Sequence, residues 1–271
     1  MKTALLQYCA GADKQKNLSK ALSLSKEALE KGSKFVLLPE VFNFLGDGRD
    51  RELFSRSMER IPGPSSRAFV GLAQKHKASF LLGSIIEKAT KSLAYNTSVF
   101  IDPQGKFSAT YRKIHLFDAR IGDKIIKESD SFRAGKKLTM VKIGEFQAGL
   151  SICYDLRFPQ LYQEYASKGA DILTVPSCFT QKTGEAHWET LLRARAIENL
   201  SYVLAPNQVG TDLRGMQAYG NSMIISPWGE IISRGSGSGE EIIFGEISIE
   251  EVKKARAILP GIIRRGHDQT R

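Results

Sequence analysis

The chain has 271 residues, 42% hydrophobic and 25% charged, enough for one large α/β core or two small ones. No apolar run approaches the length of a membrane span, and Cys9, Cys153 and Cys178 are widely spaced with no Cys-x-x-Cys pair, which argues against a membrane partner, a disulfide framework and a metal site. The net charge of +10 rests on scattered residues such as Lys136-Lys137, Lys253-Lys254 and Arg264-Arg265, not interleaved with aromatics, so a solvated basic surface that weakly steers small anions is expected and a nucleic-acid partner is not.

Met1 to Gln7 reads as a first strand instead of a signal peptide, so a soluble, cytoplasmic protein is expected. Lys14 to Lys31 places Leu18, Ala21, Leu22, Ser25, Ala28 and Leu29 on one stripe and predicts a helix. The apolar run Phe35 to Pro39 predicts a buried strand that delivers Glu40 where the chain emerges. A second stripe, Ala68, Phe69, Leu72 and Ala73, predicts a helix over Ser65 to His76. Tyr95 to Gly105 reads as a strand with a Pro-x-Gly turn into a hairpin, and Ser108 to Arg112 is a further strand that delivers Lys113.

Ala148 to Ile152 predicts another buried strand, closed by Cys153, and Arg157-Phe158-Pro159 opens a helix over Phe158 to Lys168. The thiol therefore falls at a strand-to-helix turn, where unpaired backbone N–H groups favour negative charge on sulfur or on a developing oxyanion. Further helices are predicted over His187 to Asn199 and over Glu250 to Ala257, the last opened by Ser248 with Glu251 as a capping box. Gly235 to Gly239 lies between the strand-like runs Glu230 to Ser233 and Glu241 to Ile247 and reads as a hairpin loop.

Two units recur in the same order. Lys31 to Phe42 aligns with Lys168 to Phe179 as helix end, glycine stop, buried strand and proline, and Tyr95 to Gly105 aligns with Tyr219 to Gly229 as strand plus Pro-x-Gly turn. No linker divides the chain, so one domain over residues 1–271 is expected, built from two α/β halves related by a pseudo-twofold. One-striped helices and two mixed sheets layer as helix, sheet, sheet, helix.

Glu40, Lys113 and Cys153 all fall at strand ends, where a carboxylate, an ammonium and a thiol can converge on one site. Read singly they are a surface or cap acid, a solvated lysine and an inert buried cysteine. Their contexts reverse that order. Leu37-Leu38-Pro39-Glu40-Val41-Phe42-Asn43, Tyr111-Arg112-Lys113-Ile114-His115-Leu116-Phe117-Asp118 and Ile152-Cys153-Tyr154-Asp155-Leu156-Arg157-Phe158-Pro159 resemble, in order and spacing, the three signatures of the nitrilase superfamily of carbon–nitrogen hydrolases.

The resemblance runs from the first strand to near Arg265. It implies an αββα four-layer sandwich, a homodimer or larger homo-oligomer paired through helices, no cofactor and no metal, and a catalytic triad of Glu40, Lys113 and Cys153. A free thiol titrates near roughly 8.5, and the Lys113 ammonium is expected to raise its thiolate fraction while Glu40 acts as general base. Lys113 and the Tyr154 N–H are the expected oxyanion donors. Glu128 resembles a second glutamate that the family places near its lysine, orienting the lysine or the substrate; alone it reads as a loop acid. Phe179 and Thr183 fall where pocket loops are expected. Asp155 and Arg157 are expected to form an ion pair beneath the turn, His187 to start a helix and Cys178 to pack.

Within the superfamily these signatures, with Ala186-His187-Trp188-Glu189, are most similar to the deaminated glutathione amidases and the ω-amidases acting on α-ketoglutaramate. Tyr219-Gly220-Asn221-Ser222 and Arg264-Arg265-Gly266-His267-Asp268 depart from the commoner Tyr-Gly-His-Ser and Arg-Arg-x-Asp-Leu-Tyr. The resemblance implies a small carboxylate-bearing amide as substrate, deaminated glutathione ahead of α-ketoglutaramate, with an N-carbamoyl amine or a nitrile as alternatives. A catalytically silent scaffold on the same fold is the non-enzyme alternative. A buried substrate carboxylate requires a cation beyond Lys113.

Overall fold

The computed structural model describes residues 1–46, 50–121, 124–212 and 215–260. Its first half runs β1 (Lys2–Gln7), α1 (Lys14–Glu30), β2 (Phe35–Leu37), α2 (Arg51–Ser57), α3 (Pro64–Arg67), α4 (Val70–His76), β3 (Ser79–Lys88), β4 (Ala94–Ile101) and β5 (Phe107–Arg112). A ribbon of β6 (Asp118–Ile121) and β7 (Lys124–Lys127) comes next. The second half runs β8 (Met140–Ile143), β9 (Phe146–Leu150), α5 (Pro159–Ser167), β10 (Ile172–Thr174), α6 (Gln181–Asn199), β11 (Tyr202–Ala205), β12 (Val209–Thr211), β13 (Gln217–Tyr219), β14 (Met223–Ile225), β15 (Ile231–Arg234), β16 (Glu241–Glu246) and α7 (Ile249–Ile258). The Arg264 to Asp268 departure lies outside the described residues.

Two six-stranded sheets result, ordered β16-β1-β2-β3-β4-β5 and β15-β14-β11-β10-β9-β8. In each, three parallel strands (β1-β2-β3, β9-β10-β11) are continued by an antiparallel hairpin. This is the pseudo-twofold that the repeated segments predict. An antiparallel edge strand completes each sheet: β8 pairs with β9 within the second half, whereas β16, at the end of the second half, returns to pair with β1 of the first.

Strand alternation builds the layers. In β1 to β4, Leu5, Phe35, Leu37, Leu81 and Phe100 face the second sheet and pack with Leu150, Ile172, Leu204 and Ile224. Their neighbours Ala4, Leu6, Val36, Phe80, Leu82 and Val99 face outward onto Ala21 and Ala28 of α1 and Ala73 of α4. Period two applied to a strand buried on both faces leaves no polar side, which is why these runs are continuously apolar. On the far side Leu161, Tyr162 and Tyr165 of α5 and Trp188, Leu192 and Ala196 of α6 cover the second sheet. The order is helix, sheet, sheet, helix.

Four local expectations change. Gly235 to Gly239 is no hairpin, because β15 and β16 pair into different sheets and the segment carries the chain between them. The helix expected over 65–76 is two pieces, since Ser66 Oγ accepts the Gly63 N–H (2.9 Å) and the Phe69 N–H bonds back to Ser66 O (3.3 Å), tightening the chain between α3 and α4. Helix α6 begins at Gln181, capped by Thr180, so His187 is inside it; Gly184 is also helical, and the Tyr219 ring packs on it, 2.2 Å from where a Cβ would stand. Ser248 caps α7, but Glu251 accepts from Tyr202 Oη and not from the Ser248 N–H, which donates to the same phenol oxygen (3.1 Å).

One glycine sets the path of the chain beyond β2. A Cβ on Gly83 would stand 2.1 Å from the carbonyl oxygens of both Leu38 and Pro39, so only glycine in β3 lets the chain leave β2 at this point. Gly83→Ala is therefore expected to cost about 1–3 kcal/mol or more in urea unfolding. Gly71→Ala, on an exposed helical position with open space, is expected to gain about 0.5–1 kcal/mol. Equal effects at the two positions would contradict this packing.

Candidate active site

The parallel strands of both sheets end on one rim, and the residues beyond their ends close around a cavity of about 210 Å³. A crevice at the carboxyl ends of parallel strands is the usual ligand position in α/β folds. Glu40, Lys113 and Cys153 all line it and are 5%, 2% and 9% exposed.

The charged groups form one buried cluster. Lys113 Nζ donates to Glu40 Oε1 (2.9 Å) and to both oxygens of Glu128 (3.1 and 2.8 Å). Glu128, in the turn after β7, also accepts the Phe117 N–H at 2.6 Å, which ties it to the loop after Lys113. It thus orients the lysine. Glu40 Oε2 accepts the Cys178 N–H at 2.9 Å, its carbonyl accepts from Gln208 Nε2 at 2.7 Å, and the next residue, Val41, has φ +46° and is held by Ser84 Oγ at 2.7 Å.

Cys153 has φ +48°, a left-handed conformation costly for a residue with a Cβ, and opens a tight helical turn over Cys153–Arg157. Asp155 holds that turn. Fully buried, its carboxylate accepts from the Ile152 N–H (2.9 Å), the His115 N–H (2.9 Å) and Tyr111 Oη (2.8 Å), and meets His115 Nδ1 at 2.7 Å. The Cys153 N–H donates to Pro176 O at 3.0 Å, pinning the nucleophile strand to the end of β10.

Lys113 acts on the thiol in the expected direction but is outweighed. Burial pushes the Cys153 thiol well above its ordinary range, Glu40 pushes it further, and Lys113 with the Cys178 N–H opposes both without cancelling them. The balance of these neighbours favours the neutral thiol. Burial pulls the other way on Lys113, but Glu128, Glu40 and Cys153 outweigh it and hold the ammonium well above its usual value.

The remaining expected residues divide. Phe179 is buried and lines the cavity. Thr183 is not among the lining residues; it sits in the first turn of α6 with its hydroxyl on Thr180 (2.9 Å), and Thr180 lines the cavity instead. The Tyr154 ring packs against Phe117 and Phe158, and its N–H comes directly after Cys153 in the turn. Asp155 and Arg157 make no ion pair. The Arg157 guanidinium lies over the rings of Phe179 (5.5 Å) and Tyr154 (5.8 Å), reaches His187 Nδ1 at 3.3 Å, and pairs with no carboxylate among the described residues. His187 is exposed on α6. Cys178 is not merely packed, since it lines the cavity and its N–H holds Glu40. Among the described residues no group of three or more His, Cys, Asp or Glu is placed to hold a metal ion, and no helix is long and apolar enough to cross a membrane.

Sequence reasoning passed over Asn96, Gln208 and the N–H groups of Cys178 and Phe117. Backbone donors carry no signature in a sequence. Asn96 had one, the repeated Tyr-Asn/Tyr-Gly unit, without a role attached.

Comparison with known proteins places this geometry. The family model described as carbon-nitrogen hydrolase matches residues 2–257. The chain is 38% identical to omega-amidase NIT2 of Danio rerio over 98% of its length and 94% of that protein, and 36% identical to deaminated glutathione amidase of Synechocystis over 97% of each. Its fold superposes on the crystal structure of Saccharomyces cerevisiae Nit3, a member of branch 10 of the nitrilase superfamily, with TM-score 0.86, 32% identity, and 98% and 97% of the two chains covered. On the C. elegans NitFhit structure the TM-score is 0.90 at 36% identity, with all of this chain and 66% of that longer one covered.

The thiol's surroundings set signs that alkylation can check. Iodoacetamide labelling of Cys153, with peptide mapping against pH, should have its midpoint above the value of an ordinary free thiol. Lys113→Met should move it higher and Glu40→Gln lower, because the first removes a positive neighbour and the second a negative one. A wild-type midpoint below that value, or a rise in Glu40→Gln, would show the thiol to be held as thiolate.

Proposed function

The chain belongs to the carbon–nitrogen hydrolase family, and from that premise we propose that it hydrolyses the amide of a small carboxylate-bearing molecule through a thioester on Cys153. The observation that carries this reading is the division of labour on Glu40. Its Oε1 accepts from Lys113 and its Oε2 from the Cys178 N–H, and the carboxylate as a whole acts on the neighbouring Cys153 thiol.

A neutral thiol needs a base at the moment of attack. As sulfur bonds to the amide carbonyl carbon, the thiol proton passes to Glu40 Oε2, and charge develops on the carbonyl oxygen. The Lys113 ammonium and the Tyr154 N–H are the proposed oxyanion donors. Collapse breaks the carbon–nitrogen bond, the proton on Glu40 leaves with the amine, and the thioester remains. Glu40 then takes a proton from water as its oxygen attacks the thioester, and returns it to the departing sulfur. One carboxylate serves both halves, and Lys113, tied to Glu128, keeps its charge throughout. His187, exposed and turned to Arg157, has no part in this sequence.

Deaminated glutathione and α-ketoglutaramate share an α-ketoglutaryl acyl group, so both would leave the same thioester and differ only in the amine released. We favour deaminated glutathione; the likeness to omega-amidase NIT2 supports the second reading equally directly. The cavity wall is largely apolar, with Phe44, Phe54, Ile86, Phe132 and Phe179, so the acyl chain has a dry surface to lie on. For its carboxylate we propose Arg157, whose forked guanidinium lies beyond Phe179 with no carboxylate partner among the described residues. Lys127 lines the cavity, as Arg157 itself does not, but is exposed. Action in the cytoplasm as a homodimer belongs to the same proposal, the dimer supported by exposed Ile197, Trp228 and Ile232 on the side of the second sheet.

Amine release should be measured over ω-amides, N-carbamoyl amines, nitriles and the methyl-ester analogues of the acid amides. The α-ketoglutaryl amides should lead in kcat/KM, and Lys113→Ala should lower it on the order of 100-fold or more. Arg157→Ala should raise KM about tenfold or more for the acid amides and little for the neutral analogues, with Lys127→Ala within about threefold. Faster turnover of the nitriles, carbamoyl amines or neutral esters would overturn the substrate class, and no release from any of them would favour a silent scaffold.

A further inference from the structure

Asn96 lies on β4, is 2% exposed and lines the cavity. Its Nδ2 donates to Glu40 Oε1 at 2.9 Å and to Glu128 Oε1 at 3.1 Å, the same two oxygens that Lys113 Nζ reaches at 2.9 and 3.1 Å. Two donors and two acceptors close a ring. The Asn96 carbonyl also accepts the Lys113 N–H at 2.9 Å, so one strand residue holds both the backbone of the lysine and the carboxylates around its head.

The fold itself does not ask for this amide. In the internal repeat Tyr95-Asn96-Thr97-Ser98 is matched by Tyr219-Gly220-Asn221-Ser222, and Gly220 stands where Asn96 does, with no side chain. The side chain is moreover kept with Oδ1 buried and without a hydrogen-bond partner, which stability alone disfavours. Its service is therefore to be sought in what Nδ2 touches.

We propose that Asn96 is a positioning residue for the hydrolysis, its amide occupying Glu40 Oε1 so that Oε2 is the oxygen turned toward Cys153. A carboxylate swivels easily about its terminal torsion, and with Lys113 alone either oxygen can face the ammonium. A second donor in the ring removes that freedom. It is neutral, so it fixes the carboxylate without adding a positive charge that would weaken it as a base. The inference rests on Glu40 and Cys153 being base and nucleophile, yet its test does not need turnover.

The thiol of Cys153 faces Glu40, Lys113 and the Cys178 N–H, and Glu40 is the neighbour that raises its titration by both charge and hydrogen bond. The alkylation midpoint of Cys153, separated from Cys9 and Cys178 by peptide mapping, therefore reports where Glu40 stands. It should be measured in wild type, Asn96→Ala, Glu40→Gln and the double variant, with Asn96→Ser in place of Ala if the latter does not fold. The midpoint of Asn96→Ala should fall between wild type and Glu40→Gln, and the double variant should match Glu40→Gln alone, because Asn96 acts only through Glu40. In steady state kcat should fall about 10- to 100-fold in Asn96→Ala with KM within about threefold. A wild-type midpoint in Asn96→Ala, or the same displacement in both backgrounds, would overturn the inference. If wild type hydrolyses no amide, the proposed function fails while the midpoint series still decides the role of Asn96.

Discussion

The Lys113 ammonium, 2% exposed and set between Glu40 and Glu128, is the interaction on which the rest of the site depends. A charge taken out of water is stable only when paired and fully hydrogen-bonded, and removing one partner of such a pair typically costs about 3–5 kcal/mol. Here two carboxylates surround one ammonium, which leaves a formal surplus of negative charge. Neutral donors absorb it: Asn96 Nδ2 and the N–H groups of Cys178 and Phe117. Burial first, and Glu40 within this surplus second, raise the nearby Cys153 thiol.

That arrangement dictates what the two sheets must do. Glu40 and Lys113 leave strands of the first sheet, and Cys153, Cys178 and Gln208 leave strands of the second. Links across include the Cys178 N–H on Glu40 Oε2 and Gln208, which donates to the Glu40 carbonyl while its Oε1 accepts the Ala10 N–H at 2.8 Å. The strained residues Val41 and Cys153 sit at these crossings, as expected where surrounding structure imposes a conformation the residue would not choose. Strand β16, from the second half, pairs with β1 at the edge of the first sheet and so binds the two halves together.

Much of this was legible in the sequence, and the failures have physical causes. Continuous apolar runs and repeated turn chemistry gave the layers and the pseudo-twofold, because a strand buried on both faces has no solvent-facing polar side. The destination of β16 was not legible, since pairing partners far apart in sequence leave no local mark. Gly184 and Ser66 obscured the helix limits because Tyr219 and Gly63, against which they pack or bond, decide what they do. At the site, Glu40, Lys113, Cys153 and Glu128 stood out by context and lie together. The expected Asp155–Arg157 pair failed because nearby charges need not meet: Asp155 turns inward to Tyr111 and His115, and Arg157 outward over aromatic rings. Lys113 acts on the thiol in the expected direction, but burial and Glu40, neither weighed from one strand's sequence, exceed its pull.

In the proposed mechanism a thiol beside a held carboxylate gives a covalent intermediate on one sulfur, formed and broken with the same base. The most direct test is rapid acid quench of the enzyme mixed with an α-ketoglutaryl amide, with peptide mapping of all three cysteines. An α-ketoglutaryl thioester on the Cys153 peptide, the same whichever amine departs and accumulating further in Glu40→Gln, is the predicted result. Amine release with no acyl group on Cys153, or with the acyl group on Cys178 or Cys9, would contradict it.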